Sequence, residues 1–514
     1  MSDLPRPTPE TGSTPTAYDV KRQSARSGVF ATALQGFQFV GGSVAGIIMA
    51  RLLAPDIFGV FFMVMVATEL TSSFRDQGIP HAISRSDGLP VEVRNALFYS
   101  HLRFNLVVSG AIVAVSPLLA LFFGERDIVF LALILATSLA IQGATNVHLG
   151  TLRQQLKFGR EAVIDTAALI GSVALGIFAA TQGWGLWSLA VQHASAHLFH
   201  AGAVLASTGW RPQRAPISPS AQAVLDDVRL FGGPLSKSRL LLHLARHVDR
   251  VVVGRVAGSG ALGLYQTAYN WSVLPVRQVT GPILHIVSTA LARVRHTADV
   301  YRSWFSIAFF GICGICMPVL AGVAVTAPTL VVFLLGPEWE GSALLLQILM
   351  PAAAASLISA SLKWAYYAEG HTDRLLSWSV RILPVTVAAV ALGGFWGATG
   401  VAIAWSATTT IATVPQIWWC TRRSVLSSAD VWAPFLNCLV AAIAGATASL
   451  LVMGSEPSGL TGIATSFLVV AGVSIVVTLA LPGGRNLSRR LLHAFLRMRQ
   501  GKRLQFGDPP CTST

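Results

Sequence analysis

The stretch that decides how this chain is organised, residues 236–255, reads Ser-Lys-Ser-Arg-Leu-Leu-Leu-His-Leu-Ala-Arg-His-Val-Asp-Arg-Val-Val-Val-Gly-Arg. Wound as a helix, it places four basic side chains on one narrow stripe: Arg239, His243, Arg246 and Arg250. The stripe would rise roughly 16 Å, about half of a ~30 Å hydrocarbon core. Two placements are open. One is a basic amphipathic helix on the membrane surface. The other is a spanning helix whose stripe faces a polar cavity, because a lipid-facing Arg at mid-depth costs roughly 3 kcal/mol or more.

The composition identifies the class of protein. The 514 residues are 53% hydrophobic and 12% charged, with a mean hydropathy of +0.61, whereas soluble domains carry about 25% charged residues. Apolar stretches long enough to span a bilayer recur about fourteen times. We therefore expect an all-α polytopic membrane protein. The basic residues that give the formal charge of +14 lie mainly in loops and tails. The positive-inside rule accounts for that distribution, so the charge does not indicate nucleic-acid binding.

Charge alternates between successive loops, and the basic set includes both terminal segments. By the positive-inside rule both termini are cytoplasmic, which agrees with an even number of spans. The predicted organisation is a cytoplasmic tail (1–27), a first six-helix bundle (28–207), a cytoplasmic linker (208–227), a second six-helix bundle (228–420), two additional transmembrane helices (433–481) and a basic cytoplasmic tail with an interfacial helix (482–514).

An internal repeat relates the two predicted bundles. Val44-Ala-Gly-Ile-Ile-Met-Ala-Arg51, followed by Phe58-Gly59, matches Val248-Asp-Arg-Val-Val-Val-Gly-Arg255, followed by Leu262-Gly263, both at an offset of 204 residues. Six predicted spans separate the copies, so both run the same way and form a parallel repeat about an axis along the membrane normal. The basic stretch occupies the place of a spanning helix in the first half, which favours a transmembrane position for it.

Further ionisable residues inside the predicted spans are candidates for function. Glu69 lies deep in the second span, where it predicts either a site for a coupling proton or cation, or a structural pair with Arg75 or another helix. Asp76 beside Arg75 predicts a local or gating pair, and Asp249 is either a gating residue or a local anchor beside Arg250. Three histidines that share a helical face predict hydrogen bonds inside the bundle rather than a metal site: His193, His197 and His200.

Two segments of the chain carry recognisable motifs. The first is Ala50-Arg-Leu-Leu-Ala-Pro-Asp-Ile-Phe-Gly-Val with Asp76-Gln-Gly-Ile-Pro, and the second is Asp249-Arg-Val-Val-Val-Gly-Arg with Ala261-Leu-Gly-Leu-Tyr-Gln-Thr-Ala-Tyr. Both resemble signatures of bacterial polysaccharide transporters, the lipid-linked oligosaccharide flippases. The resemblance covers about residues 25–420. It implies the fold of the multidrug/oligosaccharidyl-lipid/polysaccharide exporter superfamily, in which two six-helix bundles surround a central cavity and two further helices follow.

The resemblance also implies a function and partners. The function would be translocation of an undecaprenyl-pyrophosphate-linked glycan across the bacterial inner membrane by alternating access. The partners would be that glycan, membrane lipids, and the polymerase and chain-length proteins of the same pathway, with no nucleic acid. A drug exporter of the same superfamily is the nearest alternative, but its cavity would rely on acidic groups. A membrane glycosyltransferase or polymerase would need a sizeable catalytic loop outside the membrane, and the sequence has none. The resemblance therefore implies a protein that is not an enzyme, with no catalytic residues, metal site or cofactor.

The basic residues fit the anionic head of such a substrate. Arg pairs bidentately with phosphate and stays charged when partly desolvated. Arg239, Arg246 and Arg250 are therefore the first candidates for substrate binding, with His243 as a neutral or protonated partner, while Arg277 and Lys363 are further candidates.

Overall fold

The computed structural model describes residues 17–75, 90–155, 157–214, 218, 219, 222, 247–454 and 459–499. These residues contain fourteen α-helices and no strand. The first half of the chain contributes six of them: α1 (Ala17–Leu52), α2 (Pro55–Arg75), α3 (Val91–Phe123), α4 (Ile128–Gln154), α5 (Phe158–Thr181) and α6 (Leu186–Thr208).

The second half contributes the other eight. They are α7 (Val248–Arg293), α8 (Ala298–Leu335), α9 (Gly341–Glu369), α10 (Thr372–Gly393), α11 (Gly397–Thr421), α12 (Ser428–Met453), α13 (Gly459–Ala480) and α14 (Pro482–Arg499). A sharp corner divides α7 at Gly258, whose φ of 83° and ψ of −178° are open to glycine and strained for other residues. We call residues 248–257 the short arm and residues 259–293 the long arm. They correspond to the end of the seventh predicted span and to the eighth.

The expectation of an all-α polytopic membrane protein is confirmed. In the part of the chain that the structure describes, nine segments are long and apolar enough to cross a membrane, and one of them, Thr372–Thr421, contains both α10 and α11. Helices suit a membrane because their backbone N–H and C=O groups pair within the helix. The hydrocarbon core offers these groups no other hydrogen-bond partners.

The two halves are joined mainly through α2 and α7. Within the first half, α3 packs on α4, α5 on α6, and α1 on α5, while in the second half α9 packs on both α7 and α11. One continuous apolar core includes Met63 and Val64 of α2, Leu131 of α4, and Val253 and Leu262 of α7. The helices α12 and α13 pack on α8, outside this junction.

The last helix, α14, is amphipathic, as the sequence predicted for residues after the last span. Its Leu487 packs against the core and Leu491 lies beside Gly311 of α8, whereas Arg485 and Arg489 are exposed. Apolar residues therefore face the bundle and basic residues point away from it. That arrangement suits a helix at the membrane surface, and this placement stays a prediction.

The loop charges predict that both ends of the chain are cytoplasmic. A single cysteine placed at Arg214, in the linker, should be protected from a membrane-impermeant maleimide added to intact cells. A matched cysteine at Glu338, in the exposed loop between α8 and α9, should react. Labelling before and after permeabilisation measures both, and reaction at position 214 in intact cells would contradict the topology.

Candidate functional site

The structure describes part of the predicted site. Arg239, His243, Arg246 and Asp76 lie outside the described residues, as does the side chain of Arg75. The roles predicted for them therefore stay predictions. The remaining candidates are described with their side chains: Glu69, Asp249, Arg250, Arg277 and Lys363.

Glu69 and Arg250 meet across the junction between the halves. Nη1 of Arg250 donates a hydrogen bond of 2.7 Å to Oε2 of Glu69, and Nε2 of His247 lies 3.4 Å from the same oxygen. The guanidinium carbon of Arg250 lies over the Tyr269 ring, 5.9 Å from its centroid. We call Glu69, His247, Arg250 and Tyr269 the cross-half cluster, since the acid comes from α2 and the other three residues come from α7 and the residue just before it.

Burial within the cluster is uneven. The side chains of His247 and Arg250 are 10% and 12% exposed, while that of Glu69 is 35% exposed. A buried guanidinium in a membrane protein needs an anionic partner, because an unpaired charge costs several kcal/mol by order of magnitude. Glu69 supplies that partner from the other half of the protein. Because its carboxylate keeps an exposed side, the cluster borders open space rather than a sealed core.

Asp249 has a different environment from its neighbour Arg250. It is 1% exposed and its Oδ2 accepts a hydrogen bond of 2.8 Å from Oη of Tyr265, which is fully buried. Tyr265 belongs to the long arm, so this bond ties the two arms of α7 across the corner at Gly258. Of the two roles that the sequence left open for Asp249, the contact suits the local anchor.

The long arm carries a polar, exposed face. Asn270, Arg277, Gln278 and Gly281 are all exposed on it. Within the described residues, Arg277 makes no hydrogen bond or ion pair. Arg277 follows Tyr269 by about 12 Å along the helix, and polar residues exposed at membrane depth face water or head groups. Lys363 is half-buried on α9.

Two glycines allow the halves to touch at the N-terminal end of α2 and the corner of α7. A Cβ on Gly59 would overlap the backbone carbonyl of Ser259, and a Cβ on Gly263 would overlap that of Pro55. The two contacts are equivalent by the internal repeat, because Pro55 and Ser259, like Gly59 and Gly263, are 204 residues apart. We call these four residues the glycine seal.

Hydrogen bonds between the halves surround the glycine seal. Nε1 of Trp339 donates to the carbonyl oxygen of Ala50 at 2.8 Å, and Oγ of Ser259 donates to Oε1 of Glu125 at 2.8 Å. Arg51 donates to the carbonyl oxygens of Phe333 and Leu334. By the predicted topology this end is periplasmic, so the described structure is closed on that side.

Two histidines of α6, His197 and His200, have polar partners on neighbouring helices, as the sequence predicted. Nδ1 of His197 lies 2.8 Å from Nε2 of Gln142, and the rings of His193 and His197 are 4.6 Å apart. Nε2 of His200 lies 3.2 Å from Oδ1 of Asp165. Sequence reasoning missed Asp165 because it lies on the preceding helix, at a distance along the chain that no local pattern covers.

A groove of about 670 Å³ lies between the long arm of α7, α8, α12, α13 and α14. Its lining is almost entirely apolar, and several lining residues are exposed at the outer surface of the bundle: Ile315, Ile475, Leu479 and Leu492. Sequence reasoning missed this groove because five helices from distant parts of the chain form it. No single one of them carries a pattern that predicts it.

Comparison with known proteins agrees with the fold. A family model described as polysaccharide biosynthesis protein matches residues 48–344. Lipopolysaccharide biosynthesis protein WzxC of Escherichia coli (strain K12) is 21% identical over 427 residues, covering 80% of this chain and 85% of that protein. Succinoglycan biosynthesis transport protein ExoT of Rhizobium meliloti (strain 1021) is 22% identical over 379 residues, covering 73% and 76%.

Solved structures show the same architecture. Lipid II flippase MurJ in an inward closed conformation superposes with a TM-score of 0.69 at 13% identity, covering 88% of this chain and 98% of that one. An inward-facing multidrug resistance transporter of the MATE family gives a TM-score of 0.60 at 17% identity, covering 75% and 94%. At these identities the likeness shows the fold.

The glycine seal predicts a specific effect of adding one methyl group. Gly59→Ala or Gly263→Ala should hold the outer end open, because overpacking against backbone costs about 1–3 kcal/mol and shifts a closed–open equilibrium by roughly ten-fold or more. The measurement uses a reporter cysteine, Leu262→Cys, because Leu262 is fully buried in the closed form. In a background whose native cysteines are replaced, maleimide should label this cysteine faster in Gly59→Ala or Gly263→Ala than in the parent protein, with all proteins in nanodiscs. Gly46→Ala is the matched control, since a Cβ there meets nothing. Equal labelling in all variants would contradict the seal.

Proposed function

The chain belongs to the family of polysaccharide biosynthesis proteins, and we propose that it moves an undecaprenyl-pyrophosphate-linked oligosaccharide from the cytoplasmic to the periplasmic leaflet of the bacterial inner membrane. The observation that carries the proposal is the presence of two arginines on α7, the helix that joins the second half to the first. Arg250 lies in the cross-half cluster and Arg277 is exposed on the long arm of the same helix. Arginines at membrane depth are expensive, so their presence beside open space supports an anionic substrate.

The pyrophosphate of the substrate would bind these arginines. Phosphate oxygens accept parallel hydrogen bonds from the planar guanidinium fork, and the charge of Arg persists when water is partly excluded. In our proposal the stripe residues Arg239, His243 and Arg246 extend this surface on the preceding turns of the seventh span. Arginines at the junction disfavour the binding of the cationic compounds that drug exporters of the same superfamily carry.

The apolar groove would hold part of the lipid chain. Each CH₂ group removed from water contributes about 0.8 kcal/mol, but a chain that stays in lipid gains mainly from close packing. Ile283 lines the groove and follows Arg277 by about 9 Å along the long arm. One substrate molecule could therefore place its pyrophosphate near Arg277 and its lipid in the groove, on neighbouring sides of one helix.

Alternating access needs no covalent step, so we assign no catalytic residue. The parallel halves would rock about the junction, with the glycine seal closing the periplasmic side while the head group enters from the cytoplasm. Glu69 stays our candidate for coupling to a proton or cation gradient, and Glu69→Gln should then weaken the gradient dependence of transport. Polymerase and chain-length proteins of the same pathway are the proposed partners.

Substitution of the arginines tests the head-group site. Each charge-assisted hydrogen bond contributes roughly 1.5–3 kcal/mol, so Arg250→Ala or Arg246→Ala should lower glycan export by about ten-fold or more. Replacement by Lys should recover part of it, because the charge remains and the fork is lost. The measurement is glycan export in a complemented knockout with protein level determined alongside. Arg295→Ala, in an exposed loop, is the control. Normal export from a stable double variant lacking Arg246 and Arg250 would contradict the proposal.

A bulky side chain in the groove tests the lipid site separately. Gly314 lines the groove and has open space at its Cβ position. Gly314→Trp should lower export several-fold by filling that space, while leaving the affinity for inorganic pyrophosphate unchanged. Gly472→Trp adds the same bulk to exposed surface of α13 outside the groove and should leave export normal. Equal export by both variants would remove the groove from the mechanism.

A further inference from the structure

We propose that Glu69 occupies the place of the substrate's anionic head in the empty protein, and that a pyrophosphate group displaces its carboxylate from Arg250 and thereby loosens the glycine seal. This inference rests on the proposed function, since it assigns the pyrophosphate of the lipid-linked glycan to Arg250. It adds a role for Glu69, which would control when the glycine seal opens and when the glycan is released.

The hydrogen bonding of Arg250 leaves room for a better ligand. Glu69 engages Nη1 through one carboxylate oxygen at 2.7 Å. Nε of Arg250 is buried and has no hydrogen-bond partner among the described residues. A guanidinium group offers five N–H donors in a fixed fork, and a buried donor without a partner is costly. A pyrophosphate, with more acceptor oxygens than a carboxylate, can accept from Nε and Nη2 on one edge of the guanidinium as well as from Nη1.

The position of Arg250 does not depend on Glu69 alone. Its guanidinium group lies over the ring of Tyr269, and that ring stacks against Tyr265 and packs edge-on against Trp405. All four residues belong to the second half. When the Glu69 carboxylate leaves, these aromatic contacts keep the cation in place, so a pyrophosphate finds a preorganised donor group.

Displacement at Arg250 acts on the glycine seal because the same two helices carry both. Glu69 follows Gly59 by about 15 Å along α2, and Arg250 lies on the short arm that leads into Ser259. After displacement, the Glu69 carboxylate faces a polyanion across the junction, and like charges in one cavity repel. Because the seal residues fit only at backbone contact, movement of α2 away from α7 opens the seal.

The same exchange run backwards releases the glycan. Once the outer side is open and water enters, the Glu69 carboxylate competes again for Arg250. Its return restores the ion pair between the halves, expels the pyrophosphate and draws α2 back onto α7. Glu69 therefore weakens substrate binding and speeds release, which is the opposite of what a merely stabilising ion pair would do.

The test uses the full-length protein in nanodiscs of zwitterionic lipid, with inorganic pyrophosphate as the probe. In the wild type, pyrophosphate should bind and should accelerate maleimide labelling of the Leu262→Cys reporter. Glu69→Gln should bind pyrophosphate about ten-fold more tightly, label rapidly without it, and export glycan more slowly in cells. Glu69→Asp keeps the negative charge on a shorter side chain. Its pyrophosphate affinity and its labelling rate should therefore lie between those of the wild type and Glu69→Gln. Glu161→Gln removes an ion pair with Arg153 that lies within one half, and it should behave as the wild type does.

The outcomes separate this inference from the proposed function. If pyrophosphate binds the wild type and Glu69→Gln equally well, or leaves labelling of the wild-type reporter unchanged, the exchange is wrong while the head-group site stands. If pyrophosphate binds none of the variants, the proposed pyrophosphate site is wrong as well. In a further arm, nanodiscs with an anionic phospholipid replace the pyrophosphate. Equal acceleration of reporter labelling by the anionic phospholipid would indicate that Arg250 binds a membrane lipid. That result would overturn the proposed exchange between Glu69 and the pyrophosphate of the substrate.

Discussion

The ion pair between Glu69 and Arg250 is the interaction on which the rest of the arrangement depends. An arginine buried in a membrane protein requires an anion, and here the anion comes from the opposite half of the molecule. The pair therefore neutralises a costly charge and holds α2 against α7 at the same time. Since any other anion of suitable geometry can satisfy Arg250, the contact between the halves is exchangeable.

The glycine seal is a contact of a different kind. Backbone meets backbone at Gly59 with Ser259 and at Gly263 with Pro55, and a gap of about 0.5–1 Å already forfeits roughly a quarter to a half of the dispersion attraction at such a contact. The seal is therefore either closed or open, with little between. A replaceable electrostatic contact next to an all-or-none steric contact gives the junction two discrete arrangements, as alternating access requires.

An amphipathic substrate demands two chemistries that cannot share one surface. The long arm of α7 separates them, with exposed polar residues around Arg277 on one side and Ile283 of the apolar groove on another. The groove also depends on α12, α13 and the amphipathic α14, which pack outside the two repeated bundles. The helices added to the repeat thus complete an apolar groove that α8 of the second bundle also lines, and the repeated bundles supply the arginines at the junction.

The sequence by itself determined the class of protein, the apolar segments that the described helices occupy, and the internal repeat. Hydropathy, loop charge and periodicity are local properties that the bilayer imposes along the chain, so they can be read without knowing any contact. Only the tertiary structure decided that Glu69 pairs with Arg250, that Asp165 lies beside His200, and that equivalent glycines of the two halves face one another. These partners lie on different helices, and their meeting depends on how the helices pack, which local pattern does not encode.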